Sequence, residues 1–252
     1  MDNRVEKVPQ CRSRRQWSIF LALNLSLLNA GASYSAEKAL STYLPGYYGD
    51  YAVAVAPQAG FYGYVTSYNL SASLNDASNN LDLKATALIS GGQYVAPEKI
   101  GGMTYAFGAY TAVIDAHLHG FVNAGSSRIE IDQEKLEQGD TSVSPIILYW
   151  TSGNWHFNYY EAVFLPTGKF DRDDPLNLSR NYMSFDSVAG ITWLDPAQGL
   201  EISLVPGLML NRKNPSTGYK TGTEFHIDMM LNVYLSQTLA IGLHGYFYEQ
   251  LE

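Results

Sequence analysis

From Phe225 to Leu235 the chain alternates. Phe225, Ile227, Met229, Leu231, Val233 and Leu235 share one parity, and His226, Asp228, Met230, Asn232 and Tyr234 the other. A period of two belongs to a β-strand, whose successive side chains point to opposite faces. The pattern returns in 199–211, where Leu200, Ile202, Leu204, Leu208 and Leu210 oppose Glu201, Ser203, Val205, Gly207 and Asn211. It returns again in 239–249, where Leu239, Ile241, Leu243 and Phe247 oppose Ala240, Gly242, His244, Tyr246 and Tyr248. One face is uniformly apolar and the other carries histidines, acids and amides. The architecture turns on which face meets water.

The first 36 residues are a different kind of sequence. Arg4, Lys7, Arg12, Arg14 and Arg15 precede the apolar run "WSIFLALNLSLLNAGA", and small residues follow, with cleavage sites after Ala32 or Ala36. This is the pattern of a secretory signal peptide over residues 1–36. The alternative, a membrane anchor, needs a longer apolar run. "SRRQW" is a loose match to a twin-arginine signal and reads as an ordinary basic segment. Five of the 16 basic and two of the 24 acidic residues lie in 1–36, leaving 11 and 22, a net of −11. An acidic exported chain is a poor nucleic-acid binder. Cys11, the only cysteine, lies in this leader, so disulfides are not expected to hold the rest together.

Residues 37–59, with Pro45, Gly46, Gly49 and Pro57, read as an extended lead-in lying inside or across one end of the domain. Beyond it the expected strands are 60–70, 81–91, 102–112, 113–123, 127–133, 143–151, 154–165, 181–194, 199–211, 223–236 and 239–250. Helical periodicity is absent there. "TSG", "DPAQG" and "LSQT" are tight turns, whereas 166–180 and 211–222 are long, polar connections rich in turn formers. Short and long connections therefore gather at opposite ends, as in an outer-membrane barrel. A sandwich places mixed loops at both ends and covers its outer face with Lys, Glu and Thr. Here the polar faces are Ser, Asn, Gly, Tyr and His with almost no lysine, and Trp150, Trp155, Phe157, Tyr159, Trp193, Phe225 and Phe247 flank the apolar runs. The 19 Tyr against 10 Phe suit half-wet positions, at a membrane interface or a sugar-binding face. The expectation is an all-β, antiparallel up-and-down transmembrane β-barrel over residues 60–252, of about 10–12 strands, with its apolar face toward lipid.

Several pieces also match a known family. They are "YLPG" and "AVAPQAGFY" near the start, then Pro166-Thr167-Gly168, Asn181-Tyr182, Asp195-Pro196, Asn214-Pro215 with Thr217 and Tyr219, Gly222 with Glu224-Phe225-His226, and Gly245-Tyr246. Over 140–250 closely, and over 60–140 loosely, the chain resembles the meta-pathway phenol-degradation protein family. The resemblance implies an outer-membrane β-barrel transporter found beside genes for aromatic-compound breakdown, and a bacterial outer-membrane location. Relatives carry further strands and finish on an apolar or aromatic residue, whereas this chain stops at "YEQLE". A C-terminally incomplete barrel is therefore expected, with a cleft between 60–70 and 239–250.

On the polar parity, Glu201, Ser203, Glu224, His226, Asp228, Asn232, His244 and Tyr246 are the candidate lumen-lining and solute-contact residues. Glu224, His226 and Asp228 have metal-ligand chemistry. Residues two apart on a strand lie ~6.5–7 Å apart, too far to share an ion unaided, so a hydrogen-bonded network or a pore contact is the better reading. His117 and His119 with Asp115 form a second, weaker metal-like pattern. No G-x-S-x-G, phosphate loop or dinucleotide fingerprint is present. The sequons at Asn69 and Asn177 matter only in a eukaryotic secretory route.

The expected activity is passive uptake of a small hydrophobic or aromatic solute, "aromatic" coming from the resemblance alone. No catalytic residue, metal or cofactor is assigned. The lipid bilayer and the barrel assembly machinery are the expected partners. The rivals are a barrel enzyme acting at the rim and a secreted soluble β-sandwich that binds carbohydrate.

Overall fold

The computed structural model describes residues 41–47, 53–75, 79–236 and 239–251, so the leader lies outside the described residues. Within them the alternating runs form ten strands: β1 (Gly60–Asn75), β2 (Asn79–Ile100), β3 (Met103–Ala124), β4 (Ser127–Gln138), β5 (Thr141–Ser152), β6 (Trp155–Leu165), β7 (Ser184–Asp195), β8 (Leu200–Asn211), β9 (Glu224–Ser236) and β10 (Leu239–Gln250). All pair antiparallel, in the order β1-β2-β3-β5-β6-β7-β8-β9-β10.

β4 departs from simple up-and-down order. It pairs with the upper half of β3, from Val113 to Ala124, while β5 pairs with the lower half, from Thr104 to Tyr110. The expected strands 102–112 and 113–123 are thus one strand of 22 residues. No turn former separates Ala112 from Val113, and two successive partners along one edge let the ladder run on. The connection at Gly139 keeps the edge paired, its N–H donating to the Ala112 carbonyl at 2.9 Å.

The turns at 101–102, 153–154 and 196–199 lie at one end, and the connections 166–183 and 212–223 at the other. The asymmetry expected from the sequence holds for these connections, whereas the two-residue turn 125–126 between β3 and β4 lies at the long-loop end. The apolar parity faces outward: Ile202, Leu204, Leu208, Leu210, Met229, Leu231, Val233, Ile241, Leu243 and Phe247 are all exposed. On β9 the outward residues from Phe225 to Leu235 span, at ~3.4 Å per residue and a tilt near ~40°, ~26 Å. That matches an apolar band ~25 Å tall. Aromatic rings mark both borders. Trp150, Trp155 and Phe157 stack at the short-turn end, with centroid separations of 5.4 and 6.5 Å, and Phe225 meets Phe247 at 6.3 Å at the other.

On β1–β3 the band stops partway up. Val65, Leu88 and Val113 are its last exposed apolar residues, and the next row across the ladder is Asn69, Thr86 and Asp115. Thr86 donates to Asn69 at 2.8 Å along that row. The upper parts of β1–β3, with β4, therefore stand above the apolar band.

β1 and β10 stand at the two ends of this strand order and do not pair with each other. The expected cleft is present. From within, the lead-in crosses it: the Tyr68 hydroxyl on β1 donates to the Pro45 carbonyl at 3.0 Å, while Gly46 lies against the His244 ring on β10.

Candidate functional site

The inward parity of β7–β10 carries polar and ionisable side chains, and the lead-in is fastened to them. Ser41 and Tyr248 both donate to Glu224, at 2.9 and 2.7 Å. The Tyr43 hydroxyl donates to Asp228 at 2.8 Å, and its ring stacks on His226 with centroids 4.2 Å apart. Burial, and then the charge of Asp228, push the Tyr43 phenol well above its ordinary value, so it stays a donor. His226 Nε2 lies 3.0 Å from Asp186 Oδ1, and His244 Nε2 lies 3.5 Å from Asp228 Oδ1. A second chain runs through hydroxyls. Ser203 donates to Glu201 at 2.9 Å, which makes Thr192 the donor of the 2.8 Å Thr192–Ser203 bond. The Ala54 N–H in turn donates to Thr192 at 3.4 Å, and Tyr234 satisfies the other oxygen of Glu201 at 2.6 Å.

Room for His226 comes from Gly207 on β8. A Cβ built there would lie 2.2 Å from the imidazole. Gly207→Ala is expected to push His226 out of line with Asp186 and Tyr43, at a cost of ~1–3 kcal/mol for overpacking. A lower thermal unfolding temperature in detergent is the check. An unchanged one would mean that the ring is not held there.

The other half of the interior is different. A cavity of about 700 Å³ lies between the lead-in and β1–β6. Its wall combines aliphatic side chains such as Leu83, Ile89 and Ile114 with the tyrosines Tyr64, Tyr68, Tyr110 and Tyr149. Tyr64 and Tyr110 meet edge to face at 5.8 Å. Among the polar groups of the wall, Gln93 donates to the Tyr149 hydroxyl at 3.4 Å and Asn158 to the Val53 carbonyl at 3.2 Å, while Ser142, Ser144, Asp140 and Arg180 lie toward the loop side. An apolar, aromatic wall with a few fixed polar groups is the usual make-up of a small-molecule site.

The loop 166–183 closes over this cavity. Leu176, Asn177, Leu178 and Arg180 form part of its wall. Asp140, at the β4–β5 connection, holds the loop by accepting from the Gly168 N–H at 3.1 Å, the Ser179 hydroxyl at 2.6 Å and the Arg180 N–H at 2.8 Å. Asn181, in the left-handed region at φ 59°, donates to Asn214 and Ser216 at 2.8 Å each, joining the two long loops. Asp174 meets Lys135 of β4 and accepts from Gln133 at 2.9 Å. Burial alone would raise the Asp174 carboxyl, but hydrogen bonds from Lys135, Gln133 and the Leu176 N–H together hold it below its ordinary value of 3.8. A depressed carboxyl stabilises the fold above that value, and the contribution is lost as pH falls through the folded one. Proteolysis within 166–183 is therefore expected to quicken below about pH 4, and Asp174→Asn should remove that pH dependence. Equal acid sensitivity in the variant would put the weak point elsewhere.

The sequence-expected residues divide accordingly. Glu201, Ser203, Glu224, His226 and Asp228 are brought together but fully buried beneath the lead-in. Asn232 and His244 are half-buried, and Tyr246 is exposed on the same inward face of β10. The cavity tyrosines and Asp140 are additional. Their trace in the sequence was the tyrosine excess and the shared parity of Tyr62, Tyr64 and Tyr68. His117 and His119 do converge with a carboxylate, but it is Asp132 of β4 and not Asp115.

Comparison with known proteins bears on most of the chain. The family model described as "Putative MetA-pathway of phenol degradation" matches residues 69–252. The chain belongs to that family. The family's match thus covers nine of the ten strands whole, together with both long loops. Among solved structures, an outer membrane channel from Pseudomonas putida F1 superposes with a TM-score of 0.58 at 18% identity, covering 80% of this chain and 77% of that one. This likeness establishes the fold, an antiparallel sheet curled as in an outer-membrane barrel. No curated protein matches the chain.

Proposed function

We propose that the protein is a bacterial outer-membrane channel for passive uptake of small hydrophobic or aromatic compounds, with the tyrosine-walled cavity as the solute path. The observation that carries this is the partition of the interior. The polar cluster is spent on anchoring the lead-in, while the apolar cavity of about 700 Å³ is left beside it. The outward apolar band supports a membrane location, and the family description supports an aromatic solute. Catalysis at the His226–Asp186 pair finds no support in the geometry: His226 is fully buried under the Tyr43 ring, out of reach of a substrate. Residues 1–36 serve in this reading as an export signal, and the barrel assembly machinery inserts the sheet.

Membrane fractionation followed by liposome swelling with a solute panel tests the proposal. A phenol-sized aromatic should enter faster than a sugar of equal mass. Ala112→Trp, which fills the cavity wall from β3, should slow the aromatic at least several-fold while leaving the yield of inserted protein unchanged. Recovery in the soluble periplasmic fraction, or equal entry of both solutes, would overturn it.

A further inference from the structure

We propose that His117, His119 and Asp132 form a binding site for a divalent transition-metal ion of the zinc class on the outer surface of the β3–β4 ladder. The antiparallel register places His119 opposite Asp132 and His117 opposite Glu134. All four side chains stand on one face, in the part of the sheet that rises above the apolar band. The donor atoms already converge. His117 Nε2 lies 2.7 Å, and His119 Nδ1 3.7 Å, from the same Asp132 oxygen, and all three donors fall within 4.8 Å of one another.

Tetrahedral ligation by imidazole and carboxylate at ~2.0–2.2 Å from the metal implies donor separations of ~3.3 Å. The observed spacings bracket that value, so side-chain rotation alone makes the site. Two imidazoles alone leave a tetrahedral ion half-coordinated. The cross-strand carboxylate from β4 supplies the third ligand between them. Two imidazoles and one carboxylate select borderline divalent transition ions over Mg²⁺ or Ca²⁺, which need more oxygen donors.

Glu134 completes the arrangement. Its carboxylate lies 3.9 Å from His117 Nδ1, the ring nitrogen that the metal would leave free. A carboxylate on the second nitrogen fixes the tautomer and orientation of a ligating histidine. The exposed setting leaves coordination positions to water or to an outside ligand. The opposite face of β4 holds the loop 166–183 through Gln133 and Lys135, so an ion here would tie the hairpin that supports the cavity's cover.

Calorimetric titration of the detergent-purified full chain with zinc chloride tests the site, with calcium chloride as the comparison. One zinc per chain is expected, and no calcium heat. The His117→Ala, His119→Ala double variant should lose measurable binding. Asp132→Asn should weaken it at least tenfold, and Glu134→Gln about tenfold. These side chains are exposed, so the variants should unfold at the wild-type temperature without metal. His156→Ala should bind as wild type. Absence of zinc binding, or binding that survives in the double variant, would overturn the proposal.

Discussion

Leu231→Arg is expected to prevent assembly, whereas Asn232→Arg, one residue along, should insert. Leu231 is the fourth of the six outward apolar residues of β9, and it pairs with Ile202 on β8 and Leu243 on β10 in an unbroken apolar row. A charge at that depth costs ~2–4 kcal/mol at the bilayer midplane. Neighbouring strands cannot relieve it, because every side chain within reach is aliphatic. Asn232 faces inward, across from Glu201 on β8 and Gly242 on β10, where an arginine meets an acid and is kept clear of lipid. The check is the inserted fraction after expression, read by heat-modifiable gel mobility. Equal insertion of the two variants would mean that the faces are assigned the wrong way round.

The second large effect concerns the lead-in. Ser41→Ala with Tyr43→Ala removes the hydroxyls that reach Glu224 and Asp228, together with the ring that covers His226. Each buried carboxylate left short of a partner costs ~1–3 kcal/mol. Every 1.4 kcal/mol is about a tenfold shift toward chains in which this segment has left the lumen. Entry of a small sugar in liposome swelling should then rise several-fold above wild type, with insertion unaffected. An unchanged rate would show that the lead-in is not what keeps such solutes out.

Much of the fold could be read from local pattern. The parities of β8, β9 and β10 were set by period-two alternation, since a strand that slips by one residue exposes its whole polar face. Tight turns and long loops could be read from Gly, Pro, Asn and Ser. What could not be read was pairing at a distance. The region 102–124 reads as two strands because nothing in it reveals that its upper half pairs with β4 and its lower half with β5. His226 and Asp186 are forty positions apart, and only the register of β7, β8 and β9 brings them to 3.0 Å. His117 and His119 suggest a metal from their spacing alone, but the carboxylate beside them comes from the next strand. The pieces that carry the family resemblance, such as Thr167-Gly168 and Asn181, prove to hold the loops. Thr167 accepts from the Thr141 N–H at 2.9 Å, and a Cβ at Gly168 would lie 2.7 Å from the Gln138 carbonyl. A motif search for catalytic chemistry passes over residues of that kind. The tyrosine-walled cavity was least legible of all, because its wall of Tyr, Ala, Leu and Ile has no motif.

In the proposed channel, solutes pass along the β1–β6 side of the lumen. The most direct test is single-cysteine modification at Ala85, on the cavity wall, in a Cys11→Ser background. The protein is reconstituted in liposomes, and aromatic entry is measured before and after reaction with a bulky thiol reagent. The cysteine should react readily, and entry should fall to the level of protein-free vesicles. Complete modification with unchanged entry would place the path elsewhere and contradict the account.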